Sequence, residues 1–96
     1  MQTSVRVVRR PINVIAIDIM RNWKSPDIAA LPYIRAMTSC TSVYDHCGDG
    51  RKTEAMYGAD TVRSVLLYFL NNASTWRGEV ARRIKAELNE MLKEKS

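Results

Sequence analysis

The sequence predicts an all-α fold: a small bundle of about four helices with a C-terminal helical hairpin. Three observations predict it. Apolar residues recur at helical spacing through residues 62–73 and again through residues 80–92. Between these stripes lies a polar junction, Asn71-Asn72-Ala73-Ser74-Thr75-Trp76-Arg77-Gly78, of the kind that reverses a chain. Pro11, Pro26 and Pro32 stand where helices can begin rather than where they would be broken. At 96 residues the chain makes a single domain with one modest core.

Residues 1–9 read as a loose N-terminal arm. Ser4-Val5-Arg6-Val7-Val8 has strand-like content, but no convincing partner strand, and a lone strand is not stable. From Pro11, the residues Ile12, Ile15, Ile19, Met20 and Trp23 share one helical stripe. Val14 and Ile17 fall off it, which keeps a strand over residues 13–17 as the alternative reading. Ser25-Pro26-Asp27 ends this helix and starts the next element, with Ser25 as a cap and Asp27 at the positive helix end. Pro32 cannot lie inside a helix, so residues 26–30 form one turn and residues 32–39 a second helix. Its buried positions are Ile34, Met37 and Tyr33. Thr38-Ser39-Cys40-Thr41-Ser42 competes for backbone hydrogen bonds and ends it.

Residues 45–58 hold three of the four glycines and read as an exposed loop. Asp60 is the expected cap of the third helix. Val62, Val65, Leu66, Phe69, Leu70 and Ala73 line one face of that helix, and Leu67 and Tyr68 widen it. A face that broad is buried centrally or covered by a partner. Ser74 or Thr75 is the expected cap of the last helix, whose stripe is Val80, Ala81, Ile84, Leu88, Met91 and Leu92. Glu79 with Arg83, and Arg83 with Glu87, are spaced to pair along its outer side.

The net charge is +5. Residues 1–24 carry five basic side chains against Asp18 alone, and residues 60–96 carry seven against five acidic. Such a surplus suits a polyanion or simply solubility. No apolar run reaches the roughly 20 residues that span a bilayer. The stretch 12–20 contains Asn13 and Asp18, and Arg21, Asn22 and Trp23 follow where a signal peptide would carry small residues. A cytoplasmic protein without a membrane partner is therefore expected.

Cys40, His46 and Cys47 are zinc-ligand types, but their spacing matches no finger or ribbon, and no second cysteine pair exists. No metal, no cofactor and no catalytic residue is expected from them. Gly48-Asp49-Gly50-Arg51-Lys52-Thr53 has the residues of a phosphate loop without its glycine spacing, its preceding strand or its following helix. Trp76 and Arg77 form the most distinctive pair. They read either as a staple folded back on the apolar stripe or as an aromatic-plus-arginine contact surface. Gly78 would allow another helix close approach. Arg77, Arg82, Arg83 and Lys85 would form a cationic ridge, joined by Arg6, Arg9 and Arg10 if the arm folds nearby.

Tyr57-Gly58-Ala59-Asp60, Ser64-Val65-Leu66-Leu67-Tyr68-Phe69-Leu70, Asn72-Ala73-Ser74-Thr75-Trp76-Arg77-Gly78-Glu79 and Ala81-Arg82-Arg83-Ile84-Lys85-Ala86-Glu87-Leu88 resemble a family of small bacteriophage and prophage proteins. Trp23-Lys24 and Leu31-Pro32-Tyr33-Ile34-Arg35-Ala36-Met37 are similar to it as well, so the likeness covers residues 12–92. Residues 46–56 depart from it as an insertion, which leaves His46 and Cys47 without a family role. The resemblance carries no activity. It implies a phage or mobile-element origin, a host-cytoplasm location and an accessory role. The expected function is non-enzymatic: protein–protein interaction with a host or phage protein, or self-association as a homo-oligomer. Nucleic-acid binding through the basic residues is the alternative.

Overall fold

The computed structural model describes residues 10–46 and 48–93. Four helices run in chain order: α1 (Ile12–Asn22), α2 (Leu31–Met37), α3 (Val62–Asn71) and α4 (Glu79–Leu92). Two small antiparallel hairpins lie between α2 and α3. One pairs β1 (Tyr44–His46) with β2 (Lys52–Glu54), and the other pairs β3 (Met56–Tyr57) with β4 (Asp60–Thr61). The fold is therefore mixed α/β, and the all-α expectation is corrected. The expected arm at residues 1–9 lies outside the described residues.

The correction falls on residues 45–58. Tyr44 stands opposite Glu54, Asp45 opposite Thr53 and His46 opposite Lys52; Met56 faces Thr61, and Tyr57 faces Asp60. The turn chemistry explains the pairing. Asp49 Oδ1 accepts the Arg51 backbone N–H, and Gly50 takes φ 91°, a conformation that costs glycine little. Two isolated strands are marginal in water. Here they are held by neighbours: Ala55 N–H donates to the Val43 carbonyl, and Val62 N–H donates to the Ala55 carbonyl. Val43, Tyr44 and Ala55 are buried in the common core. Arg63 on α3 fastens the first hairpin from above. Its guanidinium donates to the Tyr44 hydroxyl and to the Leu92 carbonyl at the end of α4, and lies 3.5 Å from Glu54.

The helices follow their apolar stripes. Ile12, Ile15, Ala16 and Ile19 are buried on α1, and the Trp23 N–H closes it on the Ile19 carbonyl. Asp27 accepts from the N–H groups of Ala30 and Leu31, forming the single expected turn before α2. Ile34 and Met37 are buried on α2, with Tyr33 half-buried. On α3 the cap is Thr61 rather than Asp60. Its side chain accepts the Ser64 N–H at 3.0 Å, while Asp60 is held in β4. Val62, Val65, Leu66 and Phe69 are buried on α3, and Ala81, Ile84, Leu88 and Met91 on α4. α3 packs on α2 and α4, and α1 on α2 and α4.

α3 and α4 form the expected hairpin, and Trp76 fixes its turn. Its indole stacks on Trp23 at a centroid separation of 5.4 Å and 10° between planes. Trp23 in turn meets the Phe69 ring edge-on at 6.3 Å. Thr75 Oγ1 donates to Asp27 Oδ2, tying the same turn to the segment before α2. Thr75 and Ser74 therefore do not cap α4. The cap position belongs to Gly78, with φ 114° and ψ 178°. A Cβ at Gly78 would meet no atom within 4 Å beyond its own chain neighbours. The glycine answers to its backbone conformation, and the expected close approach of another helix is absent.

Candidate functional site

Arg77, Arg82 and Lys85 gather around one groove, while Arg83 joins Arg10 in an ion network between α1 and α4. The chain leaves Trp76 in an extended path, passes through Gly78 and enters α4. This places Arg77 on the turn, and Arg82 and Lys85 one helical turn apart on α4, around one depression. It has a volume of about 360 Å³, with Ser74, Arg77, Arg82 and Lys85 around a floor of Trp76, Gly78 and Ala81. Lys85 Nζ donates to the Trp76 carbonyl at 2.7 Å, which holds the ammonium over the floor. Burial pushes the Lys85 ammonium below the usual lysine range, and the positive charge of Arg77 adds to that. Among the described residues, no carboxylate lies within ion-pair distance of Arg77, Arg82 or Lys85. Glu79 follows Gly78 in sequence but does not line the groove.

Trp76 is only 5% exposed. Its ring belongs to the core, so the aromatic-plus-arginine contact surface is reduced to the arginine. Arg77 does not pair with Glu79, and neither expected pair on α4, Glu79 with Arg83 or Arg83 with Glu87, is made. Arg83 points the other way, with Nη2 3.7 Å from Asp18 Oδ2 on α1. Arg10 joins it there. Its guanidinium grips Glu87 with two bonds of 2.8 Å and donates to Asp18 at 3.0 Å. The Glu87 hydrogen bonds raise the Arg10 pKa above the usual arginine value, with a smaller contribution from Asp18. Arg10 and Arg83 thus link α1 to α4 at the surface, with Arg83 itself still 63% exposed. Arg9 lies outside the described residues. No sequence signal pointed to the Arg10–Glu87 contact, which joins positions 77 residues apart.

The thiol of Cys40 is buried and donates to the Ala36 carbonyl at 3.3 Å, and burial pushes its pKa up. His46 closes β1, and Cys47 lies outside the described residues. Among the described residues, no three of His, Cys, Asp and Glu converge as metal ligands. In a Cys47→Ser protein, Cys40 is expected to react with a thiol-specific chromogen at least about 100-fold more slowly than in urea. Native labelling as fast as that of the unfolded chain would contradict its burial.

A second surface lies on the outer side of α1. Val14, Ile17 and Met20 are 42%, 43% and 47% exposed, although α1 already buries four side chains on its inner side. Val14 and Ile17 line a groove of about 330 Å³ together with Arg10, Asp18 and Arg21. The sequence marked Val14 and Ile17 as off the buried stripe, but it placed Met20 on it. The broad face of α3, by contrast, is largely covered. Only Leu67 and Tyr68 remain half-exposed, and the Tyr68 ring rests on Tyr33 at 5.4 Å. Among the described residues, no helix is long and apolar enough to cross a membrane. Comparison with family models, with curated proteins and with solved structures returned no match.

Proposed function

We propose that the protein is a non-enzymatic interaction module that docks on another protein through the outer face of α1. One observation carries this reading: α1 is apolar on both sides, with Val14, Ile17 and Met20 left to water at i, i+3 and i+6. A helix packed on a core normally turns polar side chains outward, and a row of exposed apolar ones fits an amphipathic partner helix. Arg21 borders the same groove and suits an acidic residue on that helix. A second copy of this chain meets the requirement, because an antiparallel α1 sets Ile17 against Ile17 and Met20 against Val14. The three side chains are too few for a whole interface of about 800 Å² per partner, so they are its anchor. The resemblance to phage and prophage proteins supports an accessory role in the host cytoplasm, with a host or phage protein as the other candidate partner.

The test is a Val14→Glu, Ile17→Glu double variant. Both side chains are exposed, so the melting temperature should change little. The wild type is expected to show a concentration-dependent sedimentation coefficient or a specific co-purifying protein, and the variant neither. A wild type that stays monomeric at high micromolar concentration and recovers the same proteins as the variant would overturn the reading.

A further inference from the structure

We propose that the groove between the tryptophan turn and α4 binds the sugar–phosphate backbone of nucleic acid, without reading its sequence. The inference stands apart from the α1 face and uses different residues.

Arg77, Arg82 and Lys85 gather around one depression, and none has a carboxylate partner among the described residues. Elsewhere the fold pairs its clustered charges: Arg10 and Arg83 meet Asp18, Arg10 also holds Glu87, and Arg63 meets Glu54. The groove brings three positive groups together, with no carboxylate partner for them among the described residues. Guanidinium and ammonium groups offer donors alone, and the Ser74 hydroxyl adds one more at the rim. Phosphate oxygens are acceptors alone, so the two surfaces are complementary.

The lining also discriminates among polyanions. An acidic peptide brings apolar side chains that need apolar cover, and interfaces between proteins have such cover at their centre. This groove has no exposed large apolar side chain, since Trp76 is buried against Trp23. The exposed Val14 and Ile17 of α1 line a different groove. With the Trp76 ring in the core, the groove offers no exposed aromatic ring for a base to stack on. What remains is charge and donors matched to a backbone.

The experiment uses the full chain, freed of nucleic acid, and a fluorescent duplex of arbitrary sequence followed by anisotropy. Three neutralised phosphates give a slope of log K against log salt of about −2.7, so affinity should fall about 40-fold between 50 and 200 mM salt. Changing the duplex sequence should alter affinity less than about threefold. Arg77→Glu with Arg82→Glu should weaken binding at least about tenfold at an unchanged melting temperature. Arg35→Glu, at another exposed arginine on α2, should leave binding within about twofold. Arg82→Ala alone provides the same comparison with no reversed charge and should still weaken binding measurably. Three results would overturn the proposal. The folded Arg77→Glu, Arg82→Glu protein or the Arg82→Ala protein binds like the wild type. Arg35→Glu costs as much as the groove variants, which makes the effect one of net charge. Poly-glutamate of matched charge binds as tightly as the duplex, which assigns the groove to an acidic protein.

Discussion

Replacing Trp76 by alanine should lower unfolding stability by about 3–5 kcal/mol, the usual cost of deleting a large aromatic from a packed core. A domain of this size has a total of order 10 kcal/mol, so the loss is a large share of it. The Trp76 ring lies flat on Trp23 and is 5% exposed, and Trp23 in turn meets Phe69 edge-on. Removing the indole opens a cavity under the turn that joins α3 to α4. Urea unfolding followed by far-ultraviolet circular dichroism measures the effect. Trp76→Phe should keep much of the stability, and Arg77→Ala, at an exposed position, should stay within about 0.5 kcal/mol of wild type. A Trp76→Ala protein as stable as Arg77→Ala would show that the ring is not part of the core.

Gly78→Ala should destabilise by about 1–3 kcal/mol, although alanine is the better helix former. The residue has φ 114° and ψ 178°, a backbone region that is essentially glycine's alone. Beyond its own chain neighbours the added methyl would meet no atom within 4 Å, so the cost lies in the local backbone conformation and not in a clash with the rest of the fold. The sign of the change is informative. Inside a helix, exchanging glycine for alanine stabilises by about 1 kcal/mol. A stabilised Gly78→Ala protein would mean that α4 runs back through position 78 and that the turn is shorter than described. The same unfolding measurement decides it.

Both substitutions bear on the part of the fold that was most legible in the sequence. The α4 stripe from Val80 to Leu92 and the reversal at Trp76 followed from periodicity and from the cost of exposing an indole. Pro32 placed the start of α2 to within one residue, because its missing donor leaves few other sites. The hairpins were not legible. Each strand has only two or three residues, and Lys52-Thr53-Glu54 has no alternation of apolar and polar groups. Their stability comes from Val43, Tyr44 and Ala55 reaching the core and from Arg63 on α3, which are tertiary facts. Asp49-Gly50 and Gly58-Ala59 sit in the two turns, but short turns among charged and polar residues read as an exposed loop.

The candidate sites divided in the same way. Arg77, Arg82 and Lys85 stood on one ridge in the sequence and stand around one groove in the structure. Arg83 is their neighbour in sequence but projects toward Asp18, since each residue on a helix turns about 100° from the last. Arg10 was grouped with them on charge alone. Its bidentate grip on Glu87 depends on how α1 crosses α4, and no spacing in the chain encodes that. The anchor on α1 was half legible: Val14 and Ile17 were seen to leave the stripe, but a sequence does not say what lies on the far side of a helix.

The account requires both indoles inside the molecule, with the binding surfaces arranged around them. Acrylamide quenching of two single-tryptophan proteins, Trp23→Phe and Trp76→Phe, tests this most directly. Each remaining tryptophan should emit at a blue-shifted maximum, resist quenching in the folded state and become quenchable in urea. A Trp23→Phe protein that is folded yet whose Trp76 emits and quenches like a residue in water would contradict the turn, the core and the groove built upon them.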